Sequence, residues 1–233
     1  MAQPIIKNKY HIIIYLVSGF LALTLVVSAK DEMPEVTHDG LIQVKAKGST
    51  DYAYILPGLD LKNYKRVKLL EAQISFRKNY LSDINRQSNI NRVTSEDLAT
   101  MIATGKRFFI EAFTESLEKG DINLTEEAGE DVLLVKAYIT ELDIYAPDPN
   151  KQNFGWVKIY TEAAGRATLT IELYDSVSGQ ILARAIDTKR YIGDNAGWQR
   201  PRDHYTNIND ARQALSSWAN QLTKRLSEVM GNT

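Results

Sequence analysis

The segment from Tyr160 to Tyr174 alternates apolar and polar side chains with a regularity that restricts the fold of the whole chain. Arginine, threonine and glutamate lie between small or apolar residues at every second position, namely Ala163, Gly165, Ala167, Leu169, Ile171 and Leu173. Because successive side chains of a strand point to opposite faces, this pattern predicts a strand with one covered face and one polar face. The chain must therefore fold around a sheet with a core on one side.

Two segments with apolar residues at helical spacing predict the helices that cover this sheet. The first helix is predicted to begin after Thr94, which caps it together with Asp97 three residues later, and to end at Gly120. The second is predicted to run from its cap residue Asn207 to Gly231. Further strands are predicted over Arg66–Phe76, Asp131–Tyr145 and Gln180–Ile192. The predicted fold class is α+β, a mostly antiparallel sheet of about four strands with two amphipathic helices packed on one face, in the order β-α-β-β-β-α.

Two local irregularities refine the strand predictions. In Asp131–Tyr145 the apolar positions change parity after Ile139, which predicts one extra residue, a β-bulge, near Thr140 and Glu141. The turn residues 175–179, DSVSG, separate two strand segments and predict a hairpin.

The first 29 residues have the pattern of an export signal. Lys7 and Lys9 precede the uncharged run Ile12–Val27, and small residues at Val27 and Ala29 fit cleavage after Ala29. The 18 uncharged residues from Ile12 to Ala29 also lie within the range of about 17–25 that spans a bilayer. Residues 1–29 are therefore predicted to be a signal peptide, with an uncleaved N-terminal anchor and a buried core helix as alternatives.

The remaining chain divides into a predicted linker, residues 30–50, and a single domain, residues 51–231. The linker is charged and shows little periodicity. The chain has no cysteine, which excludes disulfides, thiolate metal sites and cysteine nucleophiles. Its net charge of −1 argues against nucleic acid as a partner, since nucleic-acid surfaces need a basic excess.

Two loops carry the predicted binding residues. The first, residues 193–207, brings together aromatic, basic and imidazole side chains on a connection, where binding residues tend to lie. The second adds two aromatic side chains, which would share one surface with the first if both loops lie at the same end of the sheet. The alternative is that the aromatic residues plug the core and the arginines are solvated. The predicted binding residues are Trp198, Arg200, Arg202, His204, Tyr205, Phe154 and Trp156.

The sequence carries none of the common catalytic motifs. The nucleophile elbow Gly-x-Ser-x-Gly, the zinc motif His-Glu-x-x-His and the phosphate-binding glycine loops do not occur in the sequence. We therefore predict no catalytic residue, no metal ligand set and no cofactor.

Three short strings resemble a bacterial lipoprotein family of unknown function: LPGLDL at 56–61, YKRVKL at 64–69 and FRKNY at 76–80. The resemblance extends over about residues 50–230 and implies a cell-envelope protein without assigning it a reaction. Such proteins usually begin with a lipidated cysteine, whereas Ala29 stands at the corresponding place here. The sequence therefore gives no support to a lipid anchor.

These observations predict an exported protein of the periplasm or cell envelope that acts as a non-enzymatic binding or assembly module. Its expected partner is an envelope protein or polymer, and it would meet the membrane only through an uncleaved N-terminal segment. A homo-oligomer is a further prediction. The alternative function is a hydrolase that acts on envelope glycan or lipid, which two facing carboxylates in a pocket would favour.

Overall fold

The computed structural model describes residues 33–87, 92–147, 159–193 and 198–230, which contain ten strands and three helices. The helices are α1 (Tyr80–Gln87), α2 (Ser95–Lys119) and α3 (His204–Met230). The strands are β1 (Ile42–Val44), β2 (Tyr52–Ile55), β3 (Arg66–Leu69), β4 (Gln73–Phe76), β5 (Asn123–Leu124), β6 (Val132–Ile144), β7 (Ile159–Thr161), β8 (Gly165–Asp175), β9 (Ile181–Ile192) and β10 (Arg200–Arg202).

Eight of these strands form one mixed sheet, in the order β1-β2-β9-β8-β6-β3-β5, with β4 also paired to β6. The long strands β6, β8 and β9 are antiparallel neighbours in its middle. β3 and β4 both run parallel to β6, one after the other along it. The two remaining strands, β7 and β10, pair with each other in a small antiparallel sheet.

The predicted sheet of about four mostly antiparallel strands with two helices is therefore wrong, although the α+β class holds. The strands that the prediction lacked have two to four residues each, which is too short to show a period of two. The segment Arg66–Phe76 is two strands rather than one, and both are parallel to β6. Parallel pairing between distant segments leaves no local pattern in a sequence.

The helices α2 and α3 lie side by side and run in the same direction. Glu111 pairs with Arg212 at 3.0 Å, and farther along both helices Ser116 bonds to Asn220 at 2.9 Å. Phe109 and Phe113 of α2 stack with ring centroids 4.1 Å apart and are fully buried in the core. Because the two helices are parallel, their first turns lie at the same end of the domain.

Several local predictions are confirmed. The register of β6 against β8 shifts between Thr140 and Asp143, and Glu141 has φ of 52°, so a bulge is present. Thr94 caps α2 and forms a capping box with Asp97. The hairpin of β8 and β9 is present as well.

One cap was predicted wrongly. The helix α3 begins at His204, and the Thr206 amide donates to the Asp203 carboxylate at 2.8 Å, as a cap requires. Asn207 lies inside the helix, where its side-chain amide donates to the Ala146 carbonyl at 2.9 Å. Asparagine is as good a cap as aspartate, so the two positions could not be told apart by residue type.

An ion-pair network joins the first described residues to the helix-free face of the sheet. Arg184 of β9 lies 2.6 Å from Asp39 and 2.7 Å from Glu172 of β8. Next to Asp39, Leu41 is fully buried, and β1 follows it. These residues lie in the stretch 30–50 that was predicted as a linker, so its second half is part of the folded domain.

The predicted signal peptide or anchor, residues 1–29, lies outside the described residues. Among the helices that the structure describes, none has the length and hydropathy needed to cross a membrane.

Candidate functional site

Two of the predicted binding residues are exposed beside the small sheet of β7 and β10. Trp198 precedes β10 and is 78% exposed, and Tyr205 in the first turn of α3 is 76% exposed. Tyr160 of β7, opposite Pro201 in the register, is 50% exposed. We refer to Tyr160, Trp198 and Tyr205 as the aromatic surface. Aromatic side chains of this size are usually buried, and three of them are exposed around this one small sheet.

Arg202, predicted as a contact residue, is buried and has a structural role. Its guanidinium is fully inaccessible and forms an ion pair with Asp210 of α3. It also donates to the Thr161 hydroxyl at 2.8 Å and to the Gly193 carbonyl at 3.3 Å. These contacts tie β10, β7 and α3 together, so Arg202 holds the framework that presents the aromatic surface.

Gly193 shows how closely the chain approaches this ion pair. Its φ is 69°, and an added Cβ atom would overlap the Asp210 carboxylate. A larger residue would therefore be strained by its backbone and would also displace the partner of Arg202.

The other predicted binding residues have different positions. His204 is partly buried, and its ring meets that of Tyr205 edge-on with centroids 6.0 Å apart. Arg200 pairs through its backbone with Thr161. Phe154 and Trp156 lie outside the described residues, so the shared surface predicted for both loops stays a prediction.

A cavity of about 240 Å³ lies between α2, α3 and the sheet, and we call it the interhelix cavity. His204 is one of the residues that line this cavity, and its neighbour Tyr205 belongs to the aromatic surface. One end of the cavity therefore lies next to the aromatic surface. The lining residues are Ile74, Ile139, Leu142, Ile144, Pro147, Ala164, Gly165, Ala167 and Ile192 from the sheet and its loops, Asp97, Thr100, Met101, Thr104, Gly105 and Phe108 from α2, and His204, Asn207, Ile208, Ala211, Ala214, Leu215 and Trp218 from α3.

Small residues leave this space open. Gly105 lines it from α2 and Ala211 from α3, and Ala164, Gly165 and Ala167 line it from the side of the sheet. Gly165 has a separate constraint, since an added Cβ atom would overlap the Asp143 carbonyl of the neighbouring strand.

The cavity is polar at one end and apolar at the other. The polar lining residues all come from the N-terminal halves of the two parallel helices: Asp97, Thr100 and Thr104 from α2, and His204 and Asn207 from the first turn of α3. The Oδ1 atom of Asn207 is buried and has no hydrogen-bond partner among the described residues. A buried acceptor without a donor is unfavourable by about 1–3 kcal/mol, so a donor brought by a ligand would be stabilising there.

The apolar end is formed by aromatic and aliphatic side chains around Trp218. The indole N–H of Trp218 donates to the Asp187 carboxylate at 2.5 Å, which fixes the ring. Burial raises the pKa of Asp187, and the hydrogen bond from Trp218 and the nearby Lys189 charge partly oppose this rise. The Trp218 ring is therefore held in one orientation at the apolar end of the cavity.

The arrangement offers few groups for catalysis. Asp97 is the one carboxylate among the described residues that line the cavity, and its oxygen accepts the capping bond from the Thr94 amide at 2.7 Å. A pair of facing carboxylates, the arrangement that would favour a glycan hydrolase, is therefore not found in this part of the chain. No group of metal-ligating residues was found among the described residues either.

Comparison with solved structures finds only distant similarity. The PelC dodecamer from Paraburkholderia phytofirmans shares 14% identity, with 75% of this chain and 95% of that chain covered and a TM-score of 0.33. A DUF330 protein from Xanthomonas campestris shares 11%, with 77% and 89% covered and a TM-score of 0.34. A DUF4136 family protein from Bacteroides thetaiotaomicron shares 11%, with 79% and 98% covered and a TM-score of 0.34. Similarity at this level supports no inference about function or assembly.

Sequence comparison is more informative at the level of the family. No curated protein matches the chain. A family model described as "Protein of unknown function (DUF3313)" matches residues 35–222, which is more than half of the sequence, and the chain therefore belongs to the DUF3313 family.

Proposed function

We propose that this protein is an exported, non-enzymatic module of the bacterial cell envelope that binds a partner protein through the aromatic surface. The observation that carries the proposal is the exposure of Trp198 and Tyr205, at 78% and 76%, on either side of β10. Tryptophan and tyrosine provide large contact areas with few rotatable bonds, and they are the residue types that dominate binding energy at protein interfaces.

The framework under this surface supports the same proposal. The buried pair of Arg202 and Asp210 connects β10, the strand that follows Trp198, to α3, the helix that carries Tyr205. A preorganised surface loses less conformational entropy when it binds than a loose loop does. The aromatic residues are therefore presented as a rigid contact surface.

Export is the second part of the proposal, and we expect the mature chain to begin at Lys30. The lysines before the uncharged run and the small residues before Lys30 are the features that signal peptidase requires. Intact-mass measurement of the protein isolated from the envelope fraction checks this. A mass that retains residues 1–29 would replace cleavage with an N-terminal anchor, and recovery of the protein from the cytoplasmic fraction would contradict export.

A photo-crosslinking amino acid in place of Tyr205 is expected to give one discrete adduct with another protein in intact cells. The same amino acid in place of Val177 serves as the control, because Val177 is 63% exposed in the turn at the far end of the β8–β9 hairpin. With the partner purified, Trp198→Ala is expected to weaken binding at least about 30-fold, the effect of losing a residue worth about 2 kcal/mol.

The outcomes of this experiment separate the kinds of partner. A smear of adducts instead of one mass would identify a polymer, and an adduct of twice the chain's mass would identify a homo-oligomer. Either result would contradict the proposal of a different protein as the partner. Equal adducts at Tyr205 and Val177 would show that the aromatic surface is not the binding site.

A further inference from the structure

We propose that the interhelix cavity binds the single hydrocarbon chain of a lipid, with the hydroxyl-bearing head group at the polar end. This site is separate from the protein-binding role of the aromatic surface. The two proposals are tested with different ligands and different variants, so one can fail without the other.

The shape of the cavity suits one extended chain. Its lining residues on α2 run from Asp97 to Phe108, which is about 16 Å along the helix axis at 1.5 Å per residue. The volume of the cavity is also larger than that of the apolar cavity of about 150 Å³ that holds benzene. The cavity therefore has lining along about three turns of α2 and enough volume for an extended hydrocarbon chain.

The distribution of polar groups sets the direction of the ligand. The end of the cavity around Phe108, Leu215 and Trp218 is apolar, so the hydrocarbon end of the ligand is expected there. His204 and Asn207 lie at the other end. An amphiphile that enters with its chain toward Trp218 leaves its head group between the first turns of the two helices.

The charge and hydrogen bonding of the polar end favour a hydroxyl head over a carboxylate. The buried Asn207 Oδ1 atom accepts a hydrogen bond and has no donor among the described residues. A hydroxyl supplies that donor, whereas an ionised carboxylate does not. The Asp97 carboxylate at the same end also disfavours a second negative charge. A monoacylglycerol has the required chemistry.

The test is calorimetric titration of the full chain with monoacylglycerols of increasing chain length, below the concentration at which they aggregate. We expect the dissociation constant to fall about fourfold for each added methylene, the effect of burying one such group, and then to level off when the chain fills the cavity. Free fatty acids and lysophospholipids of the same chain length are titrated in the same way, to show which class of lipid supplies the hydrocarbon chain. Both are expected to bind more weakly than the monoacylglycerol.

Two variants connect any binding to the cavity. Ala211→Phe places a large side chain in the space, so it is expected to raise the melting temperature without ligand and to abolish the shift caused by ligand. Gln213→Phe, on an exposed position of the same helix, is the matched control and is expected to bind normally. If Ala211→Phe does not fold, Ala214→Ile serves the same purpose.

Four results would overturn the proposal. They are the absence of saturable binding by any of the three lipid classes, an affinity that does not level off with chain length, tighter binding of the free fatty acid than of the monoacylglycerol, and unchanged binding by the filled variants.

Discussion

Replacing Arg202 with methionine is expected to lower the free energy of unfolding by about 3–5 kcal/mol, the usual effect of breaking a buried ion pair. The Arg202 side chain is fully inaccessible and that of Asp210 is 6% exposed. Methionine fills a similar space but leaves the Asp210 carboxylate without the charge of Arg202. Urea unfolding followed by circular dichroism at neutral pH measures the loss.

Arg225→Met is the matched control for this prediction. Arg225 pairs with Glu228 at 2.8 Å in the same helix as Asp210, but both side chains are more than a third exposed. Exposed pairs contribute about 0–1 kcal/mol, so this variant should unfold almost as the parent does. The double variant Arg202→Met/Asp210→Leu should recover part of the loss, because it removes the buried charge as well. Similar losses for Arg202→Met and Arg225→Met would contradict the structural role of Arg202.

Replacing Arg184 with methionine is the second large expected effect, a loss of about 3 kcal/mol at neutral pH, the lower end of the range for buried pairs. Arg184 is the cation between Asp39 and Glu172, and Glu172 is only 7% exposed. The variant should also release the first strand, so the amides of Ile42–Val44 should exchange with solvent faster. Arg190→Met, at an exposed position of the same strand, should change stability by no more than about 0.5 kcal/mol.

The contribution of Asp39 to this network should depend on pH in a defined direction. Burial alone would raise the pKa of Asp39, but hydrogen bonds from Arg184 and Thr37 and the Arg184 charge outweigh burial and lower the pKa to about 2. An unfolded aspartate has a pKa near 3.9, so the stabilisation is complete above about pH 4 and is lost as the pH falls toward 2. The difference in urea midpoint between the parent and Asp39→Asn should therefore shrink from pH 5 to pH 2. A constant difference would contradict the contribution of the Asp39 charge.

The long strands could be predicted because each extends over enough residues to show its period. The alternation in β8 and the change of parity at Glu141 in β6 are both visible in the sequence and both confirmed. Strands such as β5, with two residues, carry no such signal. The prediction of a family of unknown function is confirmed over residues 35–222, whereas the likeness to lipoproteins stays a prediction.

The site was less predictable, for a physical reason in each case. The sequence shows an arginine at position 202 and an aspartate at position 210, but burial of the pair depends on how β10 turns into α3. The interhelix cavity depends on how the fold brings together small residues from segments far apart in the sequence, such as Gly105 and Ala211. Each of these residues is unremarkable in its own segment. A space between segments has no sequence pattern of its own.

The pairing of β2 with β9 has a consequence for the order in which the domain folds. Tyr52 pairs with Ile186, 134 positions later in the chain. The β8–β9 hairpin can form early, because its strands are adjacent, whereas β2 must wait for a long loop to close. A ribosome makes the chain from its N-terminus, so β1 and β2, which pair with each other, are synthesised first, and β2 pairs with β9 late. The edge of β2 that pairs with β9 therefore remains open to other chains until the C-terminal part of the sheet has been made.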